Sequence, residues 1–162
     1  MATVQLVHGA GPAAALLHPL RRQILQALSE PDSASGVARR LGLPRQKVNY
    51  HLRDLERNGF LEFIEEKRRG NCVERRLRAT SRAYVISPET FGSLAADPAE
   101  VRDRFSSSYL VATAAAAIRD IGVLRQRADA AGKRLGTFTL EGEVRLPTAS
   151  RRKEFMEELT AE

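Results

Sequence analysis

The chain has 162 residues, which is enough for one domain and an appended segment and too few for two large domains. Hydrophobic residues make up 43% of it, so a buried core is expected and wholesale disorder is excluded. The single cysteine, Cys72, excludes an internal disulfide and a cysteine metal cluster, and suits a reducing cytosol.

The charge of the chain is unevenly distributed. The formal net charge is +6, and residues 1–82 hold 15 Lys and Arg against 8 Asp and Glu, whereas residues 83–162 hold 11 against 12. Positive charge concentrated on one half of a molecule is typical of a surface that meets nucleic acid.

Neither a leader nor a membrane span is predicted. No basic stretch precedes an apolar run at the start of the chain. The alanine-rich run at 110–118 is shorter than the roughly 18 apolar residues that a span requires. A soluble, cytoplasmic protein is therefore expected.

The first 60 residues carry the periodicity of four helices. An apolar stripe predicts a short helix, a break, and a second helix over about 19–29 that Pro19 begins. Asp32 or Ser33 can cap a third helix, which Gly42 ends. A fourth helix is predicted from 44 to 58, with Val48, Leu52 and Leu55 on its apolar face and Gly59 after it.

A β-hairpin follows. Residues 60–65 alternate between apolar and polar, which predicts a strand, and residues 72–80 predict the returning strand. Gly70 and Asn71 between them suit a turn with positive φ.

The second half predicts a long helix and a smaller strand–helix segment. Asp97-Pro98-Ala99-Glu100 has the cap, proline and glutamate of a helix start, and this helix can run about 35 residues to Gly132. Its two apolar stripes predict burial against its own subunit on one side and a partner subunit on the other. Residues 137–146 alternate like a strand, and residues 149–161 predict an amphipathic helix.

The predicted fold class is mainly α with a small β-wing (α+β). We expect a winged helix-turn-helix domain at 12–86, then a helical dimerisation segment at 87–162 with room for an unidentified small-molecule effector. The chain ends just after its last helix, which leaves open that it was truncated from a longer protein.

The helices on either side of Gly42 predict a helix-turn-helix. Arginine pairs with guanine edges, and asparagine or glutamine with adenine edges, so outward residues of the second helix can read bases in the major groove. The candidates on helix 44–58 are Arg45, Gln46, Lys47, Asn49, Tyr50 and Arg53. We expect Arg45, Gln46 and Asn49 to contribute most, because the helix N-terminus enters the groove.

The hairpin predicts a second DNA contact. Its basic wing, 67–76, can reach the phosphate backbone or the minor groove. The candidates there are Lys67, Arg68, Arg69, Asn71 and Arg75. A charged hairpin edge that only prevents aggregation is the alternative interpretation.

Three motifs carry a family resemblance. His-Pro-Leu-Arg-Arg-Gln-Ile-Leu begins at His18, Val-Ala-Arg-Arg-Leu-Gly-Leu begins at Val37, and Val-Asn-Tyr-His-Leu-Arg-Asp-Leu-Glu-Arg-Asn-Gly-Phe-Leu begins at Val48. Over about residues 12–86 the chain resembles the ArsR-type winged helix-turn-helix regulators. The resemblance implies a homodimeric transcriptional regulator, more specifically a repressor. A two-fold dimer would present two recognition helices to double-stranded DNA, so an inverted repeat is expected as the binding site.

The chain departs from this family at two places. His18 stands where the family usually has aspartate before the proline, and Val37, Ala38 and Arg39 occupy the region where metal-sensing members carry a cysteine pair. Thiolate metal sensing is therefore not expected, and no metal or cofactor is predicted.

The sequence also admits a function without DNA binding. The alternative is a winged-helix module for protein–protein interaction without specific DNA binding. No nucleophile set, paired carboxylate motif or phosphate-binding glycine loop occurs, so an enzyme is not expected. His51 is predicted to face the domain in a structural role, and a redox role for Cys72 stays open.

Overall fold

The computed structural model describes residues 1–69 and 72–160, with the side chains of Arg69, Cys72 and Thr160 outside the description. The fold is helix-rich with small sheets, which confirms the predicted α+β class. The helices are α1 (Ala10–Leu17), α2 (Pro19–Ala27), α3 (Ala34–Leu41), α4 (Arg45–Arg57), α5 (Ser107–Ala130) and α6 (Ala149–Thr160). The strands are β1 (Ala2–Val7), β2 (Asp32–Ser33), β3 (Leu61–Arg69), β4 (Cys72–Ala79) and β5 (Ser81–Ile86), and 3₁₀ turns occur at Pro88–Leu94 and Pro98–Glu100.

Helices α3 and α4 are joined by a tight turn that the sequence specifies. The Ser33 hydroxyl accepts a hydrogen bond from the Gly36 amide and caps α3, as predicted. Gly42 ends α3 at φ 65°, a left-handed conformation that glycine adopts without strain. The Leu43 amide then donates to the Ala38 carbonyl at 2.9 Å, which turns the chain sharply into α4.

The core lies where the helices meet the hairpin. Its most completely buried side chains include Ile24 of α2, Leu28 directly after that helix, Leu55 of α4, and Phe60. Burying side chains of this size contributes about 1.5–3 kcal/mol each, so the core fixes α4 against the rest of the domain.

The predicted hairpin is present and gains a third strand. β3 and β4 pair antiparallel from Leu61 opposite Ala79 to Arg69 opposite Cys72, with an irregularity between Phe63 and Glu65. The two residues of β2 pair with the other edge of β4, which the sequence did not indicate. The predicted turn residues Gly70 and Asn71 lie outside the described residues.

A second sheet joins the beginning of the chain to the end of the domain. β1 pairs in parallel with β5, with Ala2 opposite Ser81 and Val7 opposite Ile86. Neither strand was predicted. The sheet brings together residues that are 79 positions apart, and Leu6 of β1 lies near Gly122 of α5.

The long helix begins later than the sequence predicted. Residues 98–100 form only a 3₁₀ turn, and α5 starts at Ser107 instead of Pro98. The Asp103 side chain accepts a hydrogen bond from the Phe105 amide, and the Ser106 hydroxyl accepts one from the Tyr109 amide. These local bonds compete with a continuous helix and cap a new one, so α5 has 24 residues instead of about 35.

The two faces of α5 differ in burial. Ala112 and Gly122 are buried, and Gly122 lies against the side chains of Leu6 and His8. The opposite face carries a seam of apolar residues spaced by four and three positions. The members of this seam are Leu110, Ala114, Ala117, Ile121 and Leu124, all exposed.

The expectation that no segment is long and apolar enough for a membrane span requires correction at α5. Helix Ser107–Ala130 has an 18-residue window of mean hydropathy 1.2, of which 11% is buried. By length and composition alone it could cross a membrane, a criterion that core helices of soluble proteins also meet. Arg119 and Asp120 lie within it, where a bilayer would impose a cost on each charge.

The C-terminal segment contains the predicted helix without the predicted strand. α6 spans Ala149–Thr160. Residues 133–147 have no regular secondary structure, so the alternating pattern at 137–146 does not pair with a strand in the part of the chain that is described.

Candidate nucleic-acid interface

The outer face of α4 is polar and open to solvent. Arg45, Gln46, Lys47 and Arg53 are exposed, and Tyr50 is 67% exposed. Asn49, between them, is partly buried. All six residues predicted on this helix are thus accessible to a ligand, while their contact with DNA stays a prediction.

The inner face of α4 anchors the helix. Val48, Leu52 and Leu55 are buried in the core, as their spacing predicted. Arg21 of α2 forms an ion pair with Asp54 at 2.8 Å, with side chains that are 14% and 24% exposed. Apolar burial and this ion pair together fix the orientation of α4 about its own axis, so its polar face points in one direction.

His51 faces the domain, as predicted. It is 6% exposed, and its ring lies 5.0 Å from the ring of His18 and 5.2 Å from that of Tyr50. Its Nδ1 is buried without a hydrogen-bond partner among the described residues. The pKa of His51 lies below its ordinary value, chiefly because burial disfavours the charged imidazolium.

The hairpin and α4 form opposite walls of one cleft of about 240 Å³. Arg45, Asn49 and Arg53 line it from α4, and Val73 and Arg75 line it from β4. Arg45 and Asn49, two of the three residues expected to contribute most to base reading, therefore share this cleft with the wing.

The basic residues of the hairpin fall into two groups. Those near its base are paired with carboxylates: Arg75 with Glu56, Arg76 with Glu65, and Arg78 with Glu62, each at 2.8 Å. Lys67 and Arg68, nearer the tip, form no ion pair with a described residue. The predicted contacts Arg69 and Asn71 cannot be placed in either group, because the Arg69 side chain and all of Asn71 lie outside the description.

Arg75 has a structural partner that the sequence did not reveal. Its guanidinium binds Glu56 of α4 and lies over the Phe63 ring, 5.4 Å from the centroid. It thereby braces the wing against α4. Its predicted contact with DNA stays a prediction.

Arg39 of α3 was missed as a candidate site residue. It is exposed, and together with Lys67 it lines a second cleft of about 590 Å³ between α3 and the hairpin. The neighbouring Arg40 is bound to Asp32 at 2.6 Å, whereas Arg39 has no ion pair within residues 1–69 and 72–160. Its position on the polar side of α3, next to the predicted turn, was the available signal.

Within the same described residues, no group of three or more His, Cys, Asp or Glu side chains is placed to hold a metal ion. The arrangement instead offers exposed cations and amides along a helix, with a basic hairpin beside it. That combination suits contact with a polyanion that presents both phosphates and base edges.

Comparison with protein families identifies the centre of this surface. A family model described as a helix-turn-helix domain matches residues 16–62. Residues 16–62 are a helix-turn-helix domain. The match confirms the helix-turn-helix predicted on either side of Gly42.

One solved structure similar to the chain is an ArsR-like transcriptional regulator from Rhodococcus sp. RHA1. It is 27% identical, and the similarity covers 75% of this chain and 85% of that one with a TM-score of 0.38. No curated protein matches the chain. The helix-turn-helix domain itself contains α2, α3 and α4, and its matched range ends at the start of the hairpin.

Proposed function

We propose that the chain is a homodimeric, cytoplasmic, sequence-specific repressor that binds an inverted repeat in double-stranded DNA. The observation that carries this proposal is the common cleft between the exposed face of α4 and the hairpin. Arg45, Gln46 and Asn49 read base edges in the major groove, with Lys47, Tyr50 and Arg53 beside them.

The wing supplies contacts that depend little on sequence. Lys67, Arg68, Arg69 and Asn71 bind the backbone or enter the minor groove, and Arg75 adds to them while it holds the hairpin. Arg39 binds a phosphate across the second cleft, because it is exposed and has no carboxylate partner in the described chain.

The exposed seam of α5 supports a two-fold dimer. Spacings of four and three residues are those of a coiled-coil interface, and Leu110 and Leu124 are 70% and 47% exposed in the single chain. A second copy covers this seam with its own. A two-fold dimer presents two α4 helices to half-sites about 10 base pairs apart or a multiple of that spacing.

A gel-shift titration against genomic fragments at several salt concentrations tests the proposal. Specific retention that weakens steeply with salt is expected, since each phosphate contact releases counterions. Absence of retention at low salt contradicts it. Capture of a specific protein in place of DNA would instead support an interaction module.

Variants separate base reading from backbone binding. Arg45→Ala or Asn49→Ala is expected to remove about 1–3 kcal/mol of discrimination between operator and altered sites. Arg68→Ala is expected to weaken binding to all sequences alike and to reduce the salt slope by about 1. Arg152→Ala, an exposed arginine of α6, removes the same charge away from the site and should change neither.

A reporter gene fused to the bound operator tests repression. Loss of the chain should raise expression, and Arg45→Ala should reproduce that rise. A fall in expression on loss of the chain would show an activator.

A further inference from the structure

Residues 137–146 form an amphipathic extended segment without a sheet. Phe138, Leu140, Val144 and Leu146 alternate with polar residues, so in a strand they would share one side. Phe138 and Leu140 are 89% and 86% exposed. No backbone hydrogen bond joins residues 134–147 to another residue of the described ranges.

An unfilled groove runs along the outer edge of β5. It has a volume of about 540 Å³ and is lined by the four consecutive residues 81–84, which means that it follows the strand's backbone and not a single face. Leu16 and Leu25 form part of its opposite wall. The sheet of β1 and β5 has only two strands in the described chain, so the outer edge of β5 carries backbone groups without a strand partner.

The charges of the groove and the segment are complementary. Arg22, Arg82 and one carboxylate, Glu30, line the groove, and neither arginine is paired with a carboxylate of a described residue. Glu141, Glu143 and Arg145 lie on the polar side of the segment, where Arg145 pairs with Glu143 at 3.0 Å and leaves a net charge of −1. The fit therefore includes strand-edge hydrogen bonds, apolar contact and charge.

We propose that residues 137–146 of one protomer add to the free edge of β5 in the second protomer. This strand exchange rests on the homodimer proposed above and extends its interface beyond α5. A segment of ten residues is longer than the six residues of β5, so the full edge can pair. The exchange turns a two-stranded sheet into a three-stranded one, covers Phe138 and Leu140, and makes each subunit's sheet incomplete without its partner.

Hydrogen exchange of the full-length protein, combined with light scattering, tests this proposal. In the wild-type dimer we expect the amides of 137–146 and those of the outer edge of β5 to exchange at least about a hundredfold more slowly than in an unpaired chain. Dilution to monomer should remove both protections together. Leu140→Glu should remove them and weaken the dimer about tenfold or more.

A matched control and a charge reversal test whether the protection depends on the apolar side of the segment and on the charges of the groove. Thr139→Glu places the same charge on the polar side of the segment and should retain protection. Arg22→Glu combined with Arg82→Glu should lower it, and adding Glu141→Arg and Glu143→Arg should restore it.

Three outcomes overturn the exchange: a dimer with 137–146 unprotected, a monomer with 137–146 protected by its own subunit, or protection that spares β5. Failure of DNA binding in the gel shift leaves these readouts intact, so the two proposals fail separately.

Discussion

At the scale of single residues, His51 couples the inner face of α4 to pH. Burial lowers its pKa below the ordinary 6.5, and the nearby positive charges of His18, Arg21 and Lys47 lower it further against the opposing effect of Asp54. The folded protein therefore binds this proton less readily than the unfolded chain. The contribution of His51 to the free energy of unfolding is fully present above about pH 6.5. It is lost as the pH falls below that value, because only the unfolded state gains the proton readily.

We expect the melting temperature to fall between about pH 7 and pH 5, with His51 contributing to the fall. His51→Gln, which does not titrate, should show a shallower fall in thermal melts. His8→Gln removes a histidine outside the His18–His51 pair and should leave the slope due to His51 in place. An equal slope in His51→Gln and the wild type would contradict the assignment.

Gly36 has a steric reason to be glycine. A Cβ there would overlap the Asp32 carboxylate, which accepts from the Ser33 amide and binds Arg40. Gly36→Ala should lower the free energy of unfolding by about 1–3 kcal/mol in denaturant titrations. Gly11→Ala is the control: this residue lies in α1 with no atom within 4 Å of the added Cβ. There we expect a gain of about 0.5–1 kcal/mol, from the smaller entropy of the unfolded chain.

At the scale of secondary-structure elements, the Glu56–Arg75 pair joins α4 to the wing. Its side chains are 32% and 53% exposed, so the pair contributes little to stability in water. Its main effect is to neutralise Arg75 and orient the hairpin beside α4.

Glu56→Gln should therefore release Arg75 and strengthen non-specific DNA binding. The salt slope of binding should steepen by up to about 1, the change expected for one additional phosphate contact. Glu30→Gln removes the same charge from the groove beside β5, away from the α4–wing cleft, and should change the slope less. Equal effects of the two substitutions would mean that only net charge matters.

The sequence predicted best those elements that have local signals. Helices α2 to α4 and the hairpin have periodic apolar residues, a capping serine and a glycine at the end of α3. β1 and β5 were not predicted. Each strand is stabilised by pairing with the other, 79 positions away, and such long-range pairing leaves no local sequence pattern. The start of α5 was wrong because the side chains of Asp103 and Ser106 outcompete the cap at Asp97.

For the site, sequence predicted which α4 residues are exposed, since the apolar spacing of Val48, Leu52 and Leu55 fixes the opposite face. It did not separate the paired arginines of the hairpin from Lys67 and Arg68, which form no ion pair with a described residue. Arg75 and Arg68 are both arginines of the hairpin, and the sequence does not show which of them has a carboxylate partner. The position of Glu56 in the folded structure distinguishes them.

At the scale of the whole molecule, the proposed dimerisation through α5 is expected to set DNA affinity. Leu110→Glu combined with Ile121→Glu places charges in the exposed seam and should yield monomers by light scattering. Loss of the second half-site should reduce operator affinity about a hundredfold.

Gln126→Glu is the matched control for this prediction. It adds a charge to α5 in the groove beside β1 instead of in the seam, and it should leave the dimer intact. A seam variant that remains dimeric with full operator affinity would place the dimer interface elsewhere.

The parallel pairing of β1 with β5 also has a consequence for biosynthesis. The first strand leaves the ribosome long before its partner: Ala2 must wait for Ser81, 79 residues later. At translation rates of 5–20 residues per second, that delay is roughly 4 to 16 seconds. A nascent chain can therefore form α2 to α4 while its own beginning is still unpaired, and we expect chaperones that recognise extended apolar peptides to bind this first strand during that interval.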